Sequence, residues 1–379
     1  MIAPQLRFKE FSDKWQVKNL EELSEVTTGN KDTQNKLDDG EFPFFVRSQT
    51  VEKINSYTYD GEAVLTSGDG VGVGKNFHYI NGKFDYHQRV YCIFNFKSQV
   101  SGKYIFYYFS EKFNKRVMGL SAKNSVDSVR RSMITEMPIS IPTLNEQTKI
   151  ANFLTAVDEK ISQFTQKHDL LNQYKKGVMQ QIFSQELRFK DDDGQDFPEW
   201  EEATLGEIVK FQNGKGHESI INEDGKYIVV NSKFIASSGK VFKCSVKALT
   251  PIASDTNVMV MSDVPNGKAL GKCFFISEDN RFTLNQRICA LKSDKYHNKF
   301  LYYLINRNPH FLSFDSGVGQ TNLKKEDVLS CPLVIPISTN EQTKIANFLT
   351  AIDDKITATQ AQLKAVKQYK QGLLQQMFV

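Results

Sequence analysis

Two globules of mixed α+β structure, each followed by a long helix, are what this sequence predicts, and three observations predict it. The chain repeats itself at an offset of 195 residues, the repeated tails carry a coiled-coil stripe, and the stretches before them mix β-rich and helical patterns. NEQTKIANFLTAVD at 145–158 returns as NEQTKIANFLTAID at 340–353, with thirteen of fourteen positions identical, and 22 of 40 positions agree over 145–184 and 340–379. A period near 195 means a duplicated domain, because solenoid repeats run about 20–50 residues. The length of 379 residues agrees, being too great for one ordinary core.

Upstream the repeat loosens. LRFK at 6–9 answers LRFK at 187–190, and Trp15 and Trp200 are each followed five residues later by a leucine, Leu20 and Leu205. HQRVYCIF at 87–94 resembles NQRICALK at 285–292, KYIFYYF at 103–109 resembles KFLYYLI at 299–305, and MPISIP at 137–142 resembles CPLVIP at 331–336. The repeats divide the chain into globules at 1–144 and 185–339 and helices at 145–184 and 340–379. The tails are near copies, while 10–135 and 201–325 share only scattered anchors. Either the tails do one job twice while the globules do related but different jobs, or helices simply tolerate less drift.

Each element has its own signal. Positions 150, 154, 157, 161, 164, 168, 171, 175, 178 and 182, with their equivalents from Ile345 to Met377, follow a 4-3 apolar spacing, so each tail is a helix with a coiled-coil seam. Asn145 and Asn340, following Pro142 and Pro336, are expected as N-caps. Forty residues at about 1.5 Å each make a rod of roughly 60 Å. A lone helix of this kind exposes its seam, so the two are expected to pair antiparallel about a pseudo-twofold axis, with a globule at each end. Lys175, Lys370 and His168 fall on the seam, either as solvated edges or as register devices. In the globules, 61–67, 87–94, 226–230 and 257–262 read as strands, and 103–118 and 297–311 as helices.

Composition removes several function classes. Apolar residues at 40% and charged residues at 24% are normal for a soluble globular protein. No run of about 18 apolar residues suggests a membrane span, and the N-terminus lacks the apolar stretch of a secretory signal. Five cysteines without a CxxC read as reduced thiols of a cytoplasmic protein, most of them packed in cores. Six scattered histidines offer no HExxH and no zinc spacing, so no metal site is expected. A net charge of +4 is too weak alone to argue for nucleic acid.

The motif inventory is equally spare. SGDGVGVGK at 67–75 fails the phosphate-loop pattern, because Asp69 stands where glycine is needed and Asn76 where Ser or Thr is needed. It is either a glycine-rich loop that brings backbone and a lysine to a ligand, or an ordinary hairpin tip. No GxSxG elbow, paired acid site, NPPY or DPPY string, nuclease signature or helicase signature occurs, so no catalytic residue is expected. Basic residues are unevenly placed instead: residues 98–131 and residues 286–325 each hold seven Lys/Arg against two acids. Around them lie residue types that read base edges, Arg being suited to guanine and Asn or Gln to adenine. The candidate DNA-binding set in the first globule is Arg47, Ser48, Gln49, Ser67, Lys75, His87, Gln88, Arg89, Lys123, Arg130 and Arg131. In the second it is Asn231, Ser232, Lys233, Asn266, Lys268, Lys272, Asn285, Gln286, Arg287, Gln320, Thr321, Lys324 and Lys325. The repeated Gln-Arg pair has a second reading, as a structural arginine locked to its own domain.

Taken together, LRF…F…W…LGE opening each half, a strand ending in proline before (N)EQxxIAxxL, and YK.G…QQ.F closing each helix resemble the specificity subunit of type I restriction–modification systems along the whole chain. The resemblance implies that the globules are target recognition domains, each reading half of a split, asymmetric double-stranded DNA sequence. The helices would be the spacer and the docking surface for two methyltransferase (modification) subunits. Those subunits would use S-adenosylmethionine to methylate adenine, and two restriction subunits would use ATP and Mg to translocate and cleave; this chain would be a cytoplasmic, non-catalytic reader without cofactor. Since the seam stripe is needed for pairing, docking is expected at outward-facing Gln147, Lys149, Asn152 and Asp158, with Gln342, Lys344, Asn347 and Asp353. A DNA-binding scaffold that recruits no modifying enzyme, a single-chain nuclease–methyltransferase and a coiled-coil adaptor for proteins alone remain as rivals.

Overall fold

The computed structural model describes residues 4–120, 128–263, 268–315, 317 and 319–378. They fall into two compact units, Met1–Lys167 with Thr359–Val379, and His168–Ala358. The cut passes through both long helices. Each unit therefore holds one globule, the start of the helix that follows it and the end of the other helix.

In the first unit, β1 (Gln16–Asn19), β2 (Glu25–Thr28), β3 (Phe42–Phe45), β4 (Val51–Ile54), β5 (Tyr59–Ser67), β6 (Phe77–Tyr86), β7 (Val90–Phe94), α1 (Gly102–Leu120), α2 (Arg131–Thr135) and β8 (Pro138–Ile141) lead into α3 (Leu144–Phe183). Six strands form one sheet in the order β2-β7-β5-β6-β3-β4, with β1 and β8 as a separate ribbon. All pairs in the sheet are antiparallel except β3 with β6. The run Ala63–Ser67 of β5 is buried at every position, as an apolar, β-branched strand covered on both faces must be. Val64 packs with Tyr104, Ile105, Phe109 and Phe113 of α1. Ala63 and Leu65 pack with Phe45, Phe84 and Tyr86.

The second unit repeats this plan with one break. Its elements are β9 (Trp200–Thr204), α4 (Leu205–Ile208), β10 (Lys210–Asn213), β11 (Tyr227–Val230), α5 (Ser232–Ala236), β12 (Lys243–Ser245), β13 (Pro251–Ile252), β14 (Thr256–Val260), β15 (Ser262–Asp263), β16 (Cys273–Ile276), β17 (Phe282–Leu284), β18 (Ile288–Lys292), α6 (Asn298–Ile305), α7 (Pro309–Leu312), β19 (Thr321–Asn322), α8 (Lys325–Leu329), β20 (Pro332–Pro336) and α9 (Thr339–Met377). Where β6 is one ten-residue strand serving both β5 and β3, the second unit divides the task. Here β16 pairs with β14, and β17 pairs parallel with β11. The single sheet thus becomes two four-stranded sheets, β10-β18-β14-β16 and β12-β11-β17-β13.

The seam of the long helices is legible in burial. All ten stripe positions from Ile150 to Ile182, and all ten from Ile345 to Met377, are buried or half-buried. Within the first unit the helix segments run antiparallel: Lys370 Nζ meets Asp158 Oδ1 at 2.6 Å, while Phe378 stacks edge-on to Tyr104 and Tyr108, beside the strand that precedes α3. Within the second unit Lys175 Nζ meets Asp353 Oδ1 at 2.5 Å, and Phe183 packs on Phe300. The seam lysines are therefore paired across the two helices, not left as solvated edges. The N-cap expectation is corrected: α3 begins at Leu144 and α9 at Thr339, so Asn145 and Asn340 lie inside the first turn. Ser338 takes the capping position in the second unit, its Oγ accepting from Glu341 N at 3.4 Å.

The repeated Glu-Gln pair explains the scattered anchors. Glu146 is fully buried and accepts from Arg7 at 2.7 and 2.8 Å and from Trp15 Nε1 at 3.3 Å. Glu341 accepts from Arg188 at 3.4 Å and from Trp200 at 3.1 Å. Gln147 donates to the carbonyls of Pro142 and Gln99 and accepts from Ser101 N. Gln342 donates to the Pro336 carbonyl and accepts from His297 N. LRF, Trp and EQ recur because each set closes one buried contact at the root of its helix.

Candidate nucleic-acid interface

In the first unit four loops converge at one end of the sheet. Gly68 N donates to Arg89 O at 2.8 Å, and Val129 N donates to Gly68 O at 2.7 Å. This joins the β5–β6 loop, the β6–β7 turn and the segment 128–131. Asn76 donates to Arg47 O at 2.9 Å and to Ser67 Oγ at 3.3 Å, and Gln49 donates to Lys75 O at 3.2 Å, which adds the loop after β3. The glycine-rich stretch is the tip of the β5–β6 hairpin. Gly70 and Gly74 take φ of +80° and +65°, the left-handed region open to glycine. A Cβ on Gly72 would lie 2.0 Å from the Asn76 amide, so the tip folds tightly against its own anchor.

Asp69 on this tip collects two cations, Arg47 at 3.0 Å and Arg89 at 3.7 Å. Both guanidiniums stay substantially exposed, as do Lys75, Arg130 and Arg131. His87 behaves differently. It is 3% exposed, and its Nδ1 accepts from Arg89 N at 2.9 Å. Burial and the Arg47 charge push its pKa down, against an opposing pull from Asp32 and Asp69. His78 also has a lowered pKa, through burial, and its Nε2 lies 3.0 Å from Ser48 O.

The second unit builds the same junction from other residues. Met261 N donates to Arg287 O at 2.9 Å, and Leu323 N donates to Met261 O at 2.7 Å, so Gly68, Arg89 and Val129 correspond to Met261, Arg287 and Leu323. Asn285 N donates to Val230 O at 3.1 Å, as His87 N donates to Phe45 O at 2.9 Å. Gln320 Nε2 donates to Ser262 Oγ at 2.6 Å, and Gly271 N donates to Val260 O at 3.0 Å. These contacts bring 231–233, 268–272, 285–287 and 320–325 together. Arg287 is exposed and sits at φ +67°, a conformation costly for a side chain bearing a Cβ and one that gathers at functional sites. Among the described residues it meets no carboxylate within salt-bridge distance.

Two sequence candidates are corrected by burial, and four others are engaged by their neighbours. Ser67 and His87 are buried, so their side chains do not face a ligand. Asn231 caps α5 by accepting from Phe234 N, Asn285 accepts from His217 N, and Thr321 donates to Asp315. Lys272 donates to Ala236 O. Ser48 and Ser232 are half-buried, whereas Gln49, Gln88, Lys233, Lys268, Gln286, Gln320, Lys324 and Lys325 are exposed. Lys123 and Asn266 lie outside the described residues. Sequence reasoning missed the acids Asp32, Asp69 and Glu218, because acids were not sought in a basic site.

On the helices, Gln147 and Gln342 are buried, which corrects the expectation that they face outward. Asn152 and Asn347 are exposed. Lys149 is paired with Glu10, and Lys344 with Asp192. Asp158 and Asp353 each hold a seam lysine and accept from Tyr107 and Tyr303 at 2.8 and 2.9 Å. Tyr174 and Tyr369, at equivalent positions off the seam, are each 54% exposed.

The model of the family described as type I restriction modification DNA specificity domain matches residues 12–173 and 198–368. The chain belongs to this family. It is 27% identical over 204 residues to the EcoDI specificity subunit of Escherichia coli, a match covering 52% of this chain and 44% of that protein. It is 25% identical over 295 residues to the MjaVIII specificity subunit of Methanocaldococcus jannaschii, covering 72% and 68%. The first of these matches therefore spans less than half of its relative. In fold it is similar to a type I restriction–modification S subunit from M. genitalium, with a TM-score of 0.70 and 17% identity over 100% of this chain and 99% of that one. It is also similar to a chain from work on complex assembly and conformational transition of the type I R-M system, with a TM-score of 0.56 and 14% identity over 96% and 97%. Two specificity domains of mixed α/β content with long helices between them are the architecture of the family and of this chain. Among the described residues no helix is long and apolar enough to cross a membrane.

Proposed function

We propose that this chain is a non-catalytic reader of a bipartite, asymmetric double-stranded DNA target, each unit reading one half-site through its loop junction. The observation that carries the reading is the recurrence of one backbone junction, Gly68–Arg89–Val129 and Met261–Arg287–Leu323, dressed with different exposed cations and amides. A shared scaffold with divergent polar loops suits two readers of different sequences. Arginines and lysines around it would hold phosphates, while Arg and Gln would read base edges in the major groove.

The partners belong to the same reading. Two methyltransferase subunits and two restriction subunits would supply the chemistry, with S-adenosylmethionine, ATP and Mg bound there and no cofactor in this chain. A complex acting on genomic DNA of a prokaryotic cell works in the cytoplasm. The docking surface for the methyltransferase is the duplicated face of the helix starts, exposed Lys149 with Asn152 and half-buried Lys344 with exposed Asn347. Exposed Tyr174 and Tyr369 are further candidates on the helix ends: the seam differs between Val178 and Ile182 on one side and Leu373 and Met377 on the other, yet these tyrosines are identical. Tyrosines that are identical in both copies and half in solvent suit interface anchors.

Rim charges steer partner choice, so Lys149→Glu with Lys344→Glu should weaken assembly with the methyltransferase by about tenfold or more. Mass-resolved stoichiometry of chain and partner tests it. Two methyltransferase copies retained at unchanged affinity would contradict the docking face.

A further inference from the structure

We infer that Asp32 and Glu218 are specificity-determining residues, each fixing which base its neighbouring glutamine accepts at one position of its half-site. The inference rests on the reading of both units as DNA readers and names the base-selecting device within them. Gln88 Nε2 donates to Asp32 Oδ2 at 3.0 Å, and Gln286 Nε2 donates to Glu218 Oε1 at 2.8 Å. An ionised carboxylate only accepts. The amide atom that faces it must therefore be nitrogen, and the orientation of the amide is decided by chemistry.

Both acids are held. Asp32 N donates to Asn35 Oδ1 at 2.7 Å at the head of a short 3₁₀ turn, and Gln88 N donates to Lys31 O at 2.8 Å. Glu218 opens the 3₁₀ turn Glu218–Ile220. Its carboxyl is held below the usual range by its own backbone N–H first, and further by the Gln286 and Asn285 side chains. A Cβ at Gly216 would lie 2.6 Å from Glu218 Oε2, so a side chain there would displace the acid.

The two acids do not occupy equivalent positions. Asp32 lies four residues beyond the end of β2 at Thr28, and Glu218 five beyond the end of β10 at Asn213. One is an aspartate and the other a glutamate, longer by one methylene. The same contact is thus built twice from different residues, which copying an ancestral residue does not account for.

With nitrogen turned to the acid, each exposed glutamine keeps Oε1 and one N–H for a base. Among the described residues no donor is recorded on either Oε1. That acceptor–donor pair matches the N6–H and N7 edge of adenine and opposes the two acceptors of guanine. An amide in place of the acid could instead donate to Oε1, turning the glutamine over so that its nitrogen faces a base acceptor such as guanine O6.

The test first reads the target by methylome sequencing of cells carrying the chain with its partner subunits. Duplexes bearing that target, with each base pair replaced in turn, are then titrated against the assembled complex. For Asp32→Asn, discrimination against guanine should fall about tenfold at one base pair of one half-site, with the other half-site unchanged. Glu218→Gln should do the same in the other half-site, and Gln88→Ala should lose selectivity at the same base pair as Asp32→Asn. An unchanged profile in the acid variants, or uniform weakening at every position, overturns the inference. Exchange of residues 186–338 for those of a relative separates the two failures: if one half-site changes, DNA reading stands even where the acid variants are silent. If the exchange leaves the target untouched, the reading itself fails and the inference with it.

Discussion

A buried histidine beside two arginines makes acid a sensitive probe of the first unit's site. His87 has its pKa lowered below its ordinary 6.5 by burial and by Arg47. Its neutral form is therefore favoured by folding; the stability it contributes is complete above about pH 6.5 and is lost as pH falls from there through the folded value. Protonating Nδ1 also removes the acceptor of Arg89 N, which disturbs the turn that carries Gln88 and Arg89. Histidine NMR should show His87 and His78 titrating below 6.5; titration of His87 at or above that value would contradict its described burial. At this scale the sequence displayed residue types but not their partners. Arg47, Gln88, Arg89, Gln286 and Arg287 are legible as candidate readers, and Arg7, Trp15 and Glu146 as recurring anchors. The pairing of Arg47 and Arg89 with Asp69, of Gln88 with Asp32 and of Gln286 with Glu218, like that of Arg7 and Trp15 with Glu146, was not visible, because contacts across 20 to 139 residues depend on how the strands return.

The long helices were the most legible elements, since a 4-3 apolar stripe over 40 residues has one structural solution. What the stripe could not tell is how its lysines are satisfied. Lys370 lies between Asp158 at 2.6 Å and the Tyr107 ring at 5.5 Å, and Lys175 between Asp353 at 2.5 Å and the Tyr303 ring at 5.2 Å. Each pair joins one helix end to the start of the other, a placement that suits a register device. Asp158→Lys should place two cations at one point and lower hydrogen-exchange protection over 150–161 and 366–377. Adding Lys370→Asp should restore most of it. A double variant no better protected than the single one would show that the pair is incidental. Strand structure was harder to read. KYIVV and GEAVLTS gave strands at 227–230 and 59–67, but nothing in the pattern announced that β6 continues through its bend while β16 and β17 separate. Gly82 takes φ +144° inside β6, whereas Asn280 takes φ +57° in the break between β16 and β17.

For the whole molecule, a net charge of +4 understates the basic character of the two loop junctions. In the proposed division of labour, loops choose the bases and helices set the spacer. Inserting four residues within 159–172 adds about 6 Å of helix. It should lengthen the spacer of the methylated target and leave both half-sites as they were; altered half-sites with an unchanged spacer would contradict the ruler. The reader itself is tested most directly by methylome sequencing of cells that carry the chain with its partner subunits, before and after residues 186–338 are exchanged for those of a relative. The original chain should give one split, asymmetric motif, and the exchanged chain should change one half of it and keep the other half and the spacer. A palindromic or continuous motif, or an exchange that alters both halves, would contradict the account.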